Sequence, residues 1–171
     1  MLFCSRAILP GFFMNVEIRD ARPDDLEAVI NLMREFAEYE KLLDSLEITE
    51  EKLSRAAFGA GSFIEILVAT ADASTIGYAL FFPYFASFRG QRSIYLEDIY
   101  ISSEYRGRGI GESLLRRIAR IALTRNFDRI DFQVLEWNAP AISFYQKLGA
   151  VRNDDERHFK FSDRALLDLA S

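Results

Sequence analysis

Tyr105-Arg106-Gly107-Arg108-Gly109-Ile110-Gly111 runs directly into Glu112-Ser113-Leu114-Leu115-Arg116-Arg117-Ile118. Ahead of it stands a β-like run, Ile94-Tyr95-Leu96-Glu97-Asp98-Ile99-Tyr100-Ile101, and behind it an amphipathic helical pattern reaches about residue 126. Strand, glycine-rich turn and helix start, in that order, build a pocket for phosphate. Glycine lets the backbone approach an anion with no Cβ in the way, and the N–H groups of the first helical turn point at it. The spacing is not that of a P-loop, because no Gly-Lys-Ser/Thr follows. Nor is it a dinucleotide fingerprint, since the order is Gly107-x-Gly109-x-Gly111. What fits is Arg-x-x-Gly-x-Gly, from Arg106 to Gly111.

The bulk properties narrow the field. A chain of 171 residues, half of them hydrophobic, suits one globular domain with a sizeable core. No apolar run reaches membrane-spanning length without charges. One cysteine, Cys4, and one histidine, His158, exclude a disulfide framework and argue against a zinc site or a hydrolytic triad. His158 reads as structural. The net charge of −5 argues against nucleic acid and suits small cations better. From Arg106 to Arg125 there are nevertheless six arginines and a single acid, Glu112. Most belong to a solvated helix face, and some can steer a polyanion toward the glycine turn.

Residues 1–13 show no period and read as a dispensable extension, so the domain, 14–171, begins near Met14. Val16-Glu17-Ile18-Arg19 alternates as a first strand. Pro23 opens a helix whose apolar stripe is Leu26, Val29, Ile30, Met33, Phe36 and Ala37, and Thr49 caps a shorter one. Strands are expected over 63–70 and 76–84, then a loop over 85–93, the strand with Glu97, the glycine turn and its helix. A strand follows over 129–135. Asn138 caps a helix that Gly149 closes. Val151 begins another strand, residues 158–161 make the last, and 166–169 form a short terminal helix. This α/β order suits one mixed sheet with helices on both faces.

Four segments carry a wider resemblance. Tyr39-Glu40, Tyr95-Leu96-Glu97-Asp98, the motif from Arg106 to Gly111, and Glu136-Trp137-Asn138-x-Pro140-x-x-x-Phe144-Tyr145-x-x-x-Gly149-Ala150 occur in this order. Together they resemble the GNAT superfamily of N-acetyltransferases, in the branch of the diamine (spermidine/spermine) and thialysine N-acetyltransferases. The resemblance implies a mixed, mostly antiparallel sheet with a splayed central strand pair. It also implies acetyl-CoA as cosubstrate, its pyrophosphate at Arg106, Gly107, Arg108, Gly109, Ile110, Gly111 and Glu112. The backbones of Ile99, Tyr100 and Ile101 would bind pantetheine and face the oxyanion, and Asn138 would touch the cofactor.

An amine attacking a thioester needs a base, because alkyl amines have pKa values near ~10. Two adjacent carboxylates on a strand point to opposite faces, so only one of Glu97 and Asp98 serves the site directly. The family pattern favours Glu97 as base, through water, and as a contact for the substrate ammonium. It makes Tyr145 the acid for the leaving thiolate. Tyr39, Glu40, Asp98, Asp131 and Gln133 are the remaining candidates for the amine site. One departure matters: where the diamine enzymes carry Asp-Pro-Trp, this chain has Ser87-Phe88-Arg89-Gly90. An acidic polyamine anchor is thus missing, which weakens spermidine as the substrate and leaves thialysine, another lysine-like amine or an unrelated small amine open. The expected protein is a cytoplasmic homodimer with no metal. An acyl-CoA sensor without turnover and a protein or peptide N-acetyltransferase stand as alternatives.

Overall fold

The computed structural model describes residues 15–171. The extension expected over residues 1–13, with Cys4 and a start at Met14, lies outside the described residues. The chain forms two compact units, one ending at Gln133 and the other Val134–Ser171.

In the first unit, five strands follow the sequence order across the sheet: β1 (Val16–Asp20), β2 (Glu65–Ala71), β3 (Ser74–Ala86), β4 (Gln91–Ile101) and β5 (Ile130–Asp131). The first three pairings are antiparallel and the β4–β5 pairing is parallel. Alternation along β2 feeds two cores. Leu67, Ala69 and Ala71 join Ala79, Phe81, Ile94 and Leu96 beneath α3 (Ile110–Thr124), which contributes Ile110, Leu114, Ile118 and Ala122. Ile66 and Val68 turn the other way, with Tyr78 and Leu80, onto Leu26, Val29, Leu32 and Met33 of α1 (Leu26–Glu40) and Leu53 of α2 (Glu50–Phe58). Helices therefore cover both faces, as the chain pattern predicts. Thr49 caps α2 as expected, accepting from the Lys52 N–H at 3.2 Å.

Two boundaries differ from the sequence reading. The loop expected over 85–93 is mostly strand: β3 runs to Ala86 and β4 starts at Gln91, joined by a single 3-10 turn, Ser87–Arg89, with Gly90 left-handed. Asp128 pins this hairpin, accepting from Arg89 Nε at 2.6 Å and from the Ser93 hydroxyl at 2.9 Å. The strand expected over 129–135 shrinks to β5, which pairs only with Ile94 and Tyr95. The β4–β5 ladder ends at Tyr95, and residues 96–101 of β4 have no strand partner on that side among the described residues.

The second unit holds α4 (Ala139–Lys147) and α5 (Asp163–Ala170). The strands expected from Val151 and over 158–161 do not form among the described residues. A strand persists only in a ladder, and this unit offers none; Val151 and Phe159 are 93% and 86% exposed. No helix among the described residues is long and apolar enough to cross a membrane.

Entry into α1 rests on one carboxylate. Asp25, 8% exposed, accepts two bonds from the Arg19 guanidinium of β1, both 2.7 Å, and one from the Arg22 N–H at 2.7 Å. The Arg19 hydrogen bonds hold its carboxyl below the usual aspartate range, against the opposing effect of burial. A depressed folded-state pKa stabilises the fold above the ordinary aspartate range and ceases to do so as pH falls through it. Asp25→Asn is expected to cost about 2 kcal/mol at pH 7 in urea unfolding. The gap between variant and parent should close below about pH 4.

Candidate active site

The distal half of β4 carries a break in register. Leu80 of β3 pairs with Asp98 and Phe81 pairs with Leu96, so Glu97 is an extra residue with no partner, a β-bulge. Side-chain parity agrees. Ile94 and Leu96 before the bulge, and Ile99 and Ile101 after it, all pack against the α3-side core. In an unbroken strand, even and odd positions would face opposite ways. Alternation therefore breaks between Leu96 and Asp98. Glu97 is exposed, whereas Asp98 is half-buried in step with Tyr100, which packs in the α1-side core.

Asp98 lies in an acidic environment. The hydroxyl of Tyr78, a fully buried β3 residue, donates to Asp98 Oδ2 at 3.3 Å. Burial, and then the neighbouring charge of Glu97, push the Asp98 carboxyl up to about 6. Glu40 adds a further upward push, and only the Tyr78 bond acts against it. Glu40 ends α1, where burial raises its own carboxyl. Its neighbour Tyr39 packs against the same core. The Arg106 guanidinium lies 4.8 Å from the Tyr39 ring centroid and 5.0 Å from that of Tyr100. Arg106 Nε also donates to the Ile101 carbonyl at 2.9 Å. Tyr100 stacks 5.3 Å from Phe36 and its hydroxyl donates to Glu35 Oε2 at 3.4 Å. Tyr39, Glu40, Asp98, Tyr100 and Arg106, named from the sequence, are thus joined through one set of packed groups.

The glycine turn follows a 3-10 turn, Ser103–Tyr105. Gly107 and Gly109 have φ of +74° and +77°, and a Cβ at either would meet no protein atom. It is thus the left-handed backbone, not crowding, that calls for glycine. Gly109 is the N-cap of α3 and offers no side chain to its first turn. Ile110 is buried in the core, and Gly111 and Glu112 are half-buried within the first helical turn. A backbone opened in this way ahead of a helix N-terminus fits an anionic pyrophosphate. Arg108 folds back, donating to the Glu104 carbonyl at 3.2 Å and lying 5.6 Å from the Tyr105 ring centroid. Glu112 pairs with Arg116 at 2.6 Å.

Other named residues lie elsewhere. Asp131 pairs with Arg129 at 2.7 Å and accepts from the Tyr84 hydroxyl, and Gln133 is exposed at the end of the first unit. Asn138 and Tyr145 belong to the second unit. Asn138 is buried and caps α4, its Oδ1 accepting from the Ala141 N–H at 3.3 Å; Tyr145 is half-buried, its ring 5.1 Å from that of Phe144. Sequence reasoning missed Tyr78 and Glu35 and named Tyr100 for its backbone alone. A tyrosine in an inward-facing position was the available signal, since its buried hydroxyl needs a partner.

Comparison with known proteins supplies context for this geometry. The model of the Acetyltransferase (GNAT) family matches residues 26–150. A thialysine N-epsilon-acetyltransferase of Sus scrofa is 36% identical, covering 91% of this chain and 98% of its own. A human spermidine/spermine N(1)-acetyltransferase-like protein 1 is 32% identical over 90% of this chain, which spans 24% of that longer protein. Among solved structures, an integron cassette protein from the mobile metagenome of V. cholerae has a TM-score of 0.77 at 25% identity, covering 92% of this chain and 98% of that one.

Asp98 gives a thermodynamic test of the site. Its pKa is raised in the folded state, so the fold favours its protonated form and loses stability as pH rises toward about 6. Asp98→Asn, a neutral isostere, is expected to gain between about 1 and 3 kcal/mol at pH 7. Near pH 4 the gain should disappear, as read by urea unfolding at both values.

Proposed function

The chain belongs to the GNAT family of acetyltransferases, and we propose that it transfers acetyl from acetyl-CoA to the primary amine of a small molecule. The observation that carries this reading is the distal half of β4. It parts from β5, exposes Glu97 in a bulge and leads through the glycine turn into an uncapped helix start. Arg106, Gly107, Arg108, Gly109, Ile110, Gly111 and Glu112 would hold the pyrophosphate. Ile99, Tyr100 and Ile101 would offer their backbones to pantetheine, with Asn138 as a further contact. Bound acetyl-CoA supplies the thioester.

The residues of the chain then move protons and hold charge. Glu97, directly or through water, takes a proton from the incoming ammonium. Asp98, Glu40 and Tyr39 hold positive charge on the acceptor, with Asp131 and Gln133 as outer contacts. Tyr145 gives its phenolic proton to the departing sulfur; a phenol near ~10 is a workable match to a thiol near ~8.5. Attack is direct, in a ternary complex without an acyl-enzyme. A homodimer goes with this reading, as in the branch the chain resembles.

Among acceptors, thialysine or a lysine-like amine is favoured over a long polyamine. Names of relatives point to both, but the hairpin here carries Ser87-Phe88-Arg89-Gly90, with Arg89 bound to Asp128. Thiol release from acetyl-CoA, measured against thialysine, lysine, ornithine, putrescine, spermidine and a short peptide, tests the reading. Turnover is expected on thialysine, with kcat/KM above that for spermidine; binding of acetyl-CoA with no turnover on any amine would sink it. Tyr145→Phe is expected to lower kcat by about 100-fold or more while leaving the Kd for acetyl-CoA within about threefold. Equal losses in both would remove Tyr145 from the acid role.

A further inference from the structure

Tyr78 is among the largest side chains wholly removed from solvent, and it faces the α1-side core. Phenylalanine would fill almost the same volume without burying a hydroxyl. A buried hydroxyl is tolerated when it is bonded, and this one donates to Asp98 Oδ2. The register explains the reach. Tyr78 stands opposite Tyr100 and Leu80 opposite Asp98, so Tyr78 and Asp98 are diagonal neighbours across β3 and β4. The bulge at Glu97 puts Asp98 and Tyr100 out of step with Leu96, and so onto the Tyr78 side.

The groups acting on Asp98 come from three elements: Glu97 from β4, Tyr78 from β3 and Glu40 from the end of α1. Glu97 and Glu40 disfavour a charged Asp98, as does burial, and Tyr78 alone favours it. Further out, Tyr100 faces Arg106 and Glu35. A carboxylate so placed is still ionised at neutral pH, the Tyr78 bond being the one contact that favours that form, and an ionised carboxylate is what an ammonium requires.

We propose that Tyr78 is a positioning residue for acetyl transfer, its buried hydroxyl fixing the Asp98 carboxylate as the anchor for the cationic acceptor. The inference rests on the amine acetyltransferase reading and extends it to a residue that touches no substrate. Losing the hydroxyl removes the one bond that favours the charged form, so Asp98 protonates at higher pH. A cation then loses its anchor at pH values where the parent enzyme still binds it.

The test compares wild type, Tyr78→Phe, Asp98→Asn and the double variant. Carboxyl NMR on 13C-aspartate-labelled protein follows Asp98 in the free enzyme, its signal assigned by its absence in Asp98→Asn. The wild-type midpoint is expected near 6. In Tyr78→Phe it should move up by about one pH unit, the effect of losing one bond to a charged group. The acidic limb of kcat/KM for thialysine should move with it. The loss at pH 6 should be about fivefold and at pH 8.5 within about twofold, with the burden on KM rather than kcat. In the Asp98→Asn background, Tyr78→Phe should change nothing further. An unmoved Asp98 midpoint, coincident kinetic limbs, or an undiminished Tyr78→Phe effect in that background would each overturn the proposal while leaving the amine reading intact. Absence of turnover on every amine, in wild type and variants alike, would overturn the acceptor reading and the role of Tyr78 with it.

Discussion

A single unpaired residue, Glu97, organises the site-bearing half of the first unit. Were residue 97 paired in a regular ladder instead of bulged, β4 would keep one parity from Ile94 to Ile101, and the distal isoleucines would face α1 instead of α3. Asp98 and Tyr100 would then turn toward the α3-side core, where a carboxylate has no donor such as Tyr78 to meet. The extra residue lets Ile99 and Ile101 join the same core as Ile94 and Leu96, while Asp98 and Tyr100 reach the α1 side. A bulge also bends its strand and strengthens its twist. The β4–β5 ladder ends at Tyr95, two residues before the bulge, in keeping with that bend. One insertion thus accounts for the exposed carboxylate, the half-buried one and the open backbone edge.

The arrangement trades stability for charge. Elsewhere in the fold a carboxylate is used the opposite way: Asp25 meets a guanidinium with two parallel bonds and a backbone N–H, and its ionised form is stabilised. Asp98 has one phenolic donor and two carboxylates for company, and its ionised form is disfavoured. A sequence selected for folding alone would place an apolar or neutral residue there. A group perturbed by burial and flanked by like charges is a candidate for a functional site.

Much of this was legible in the chain itself. The helix stripes, the Thr49 cap, the left-handed glycines before α3 and the order of strands follow from local periodicity and turn chemistry, which act over a few residues. The bulge was legible too. The apolar positions 94 and 96 are even and 99 and 101 are odd, and a strand facing one core cannot change parity without an inserted residue. What local rules did not supply was anything set by a distant partner. The strand expected over 129–135 ends at Asp131, and the strands expected from Val151 and over 158–161 do not form among the described residues. The inward-facing Tyr78 was itself a signal, but its partner was invisible for the same reason: Asp98 lies twenty residues on, and only the register makes them diagonal neighbours.

Arg106 shows how one residue of a motif serves two neighbourhoods. As the first member of Arg-x-x-Gly-x-Gly it belongs to the glycine turn, yet its guanidinium lies against the rings of Tyr39 and Tyr100. Its Nε bond to the Ile101 carbonyl closes the end of β4 just where the turn begins. Planar stacking on two aromatic faces together with a directed N–H bond is something a lysine cannot reproduce. Through Tyr39 the same cation touches the residue beside Glu40, and through Tyr100 it reaches Glu35. The geometry of the glycine turn is thereby tied to the end of α1, where the acidic groups begin. Displacing Arg106 would remove contacts on both sides at once, so the glycine turn and the end of α1 are better understood as one packed assembly than as two separate elements.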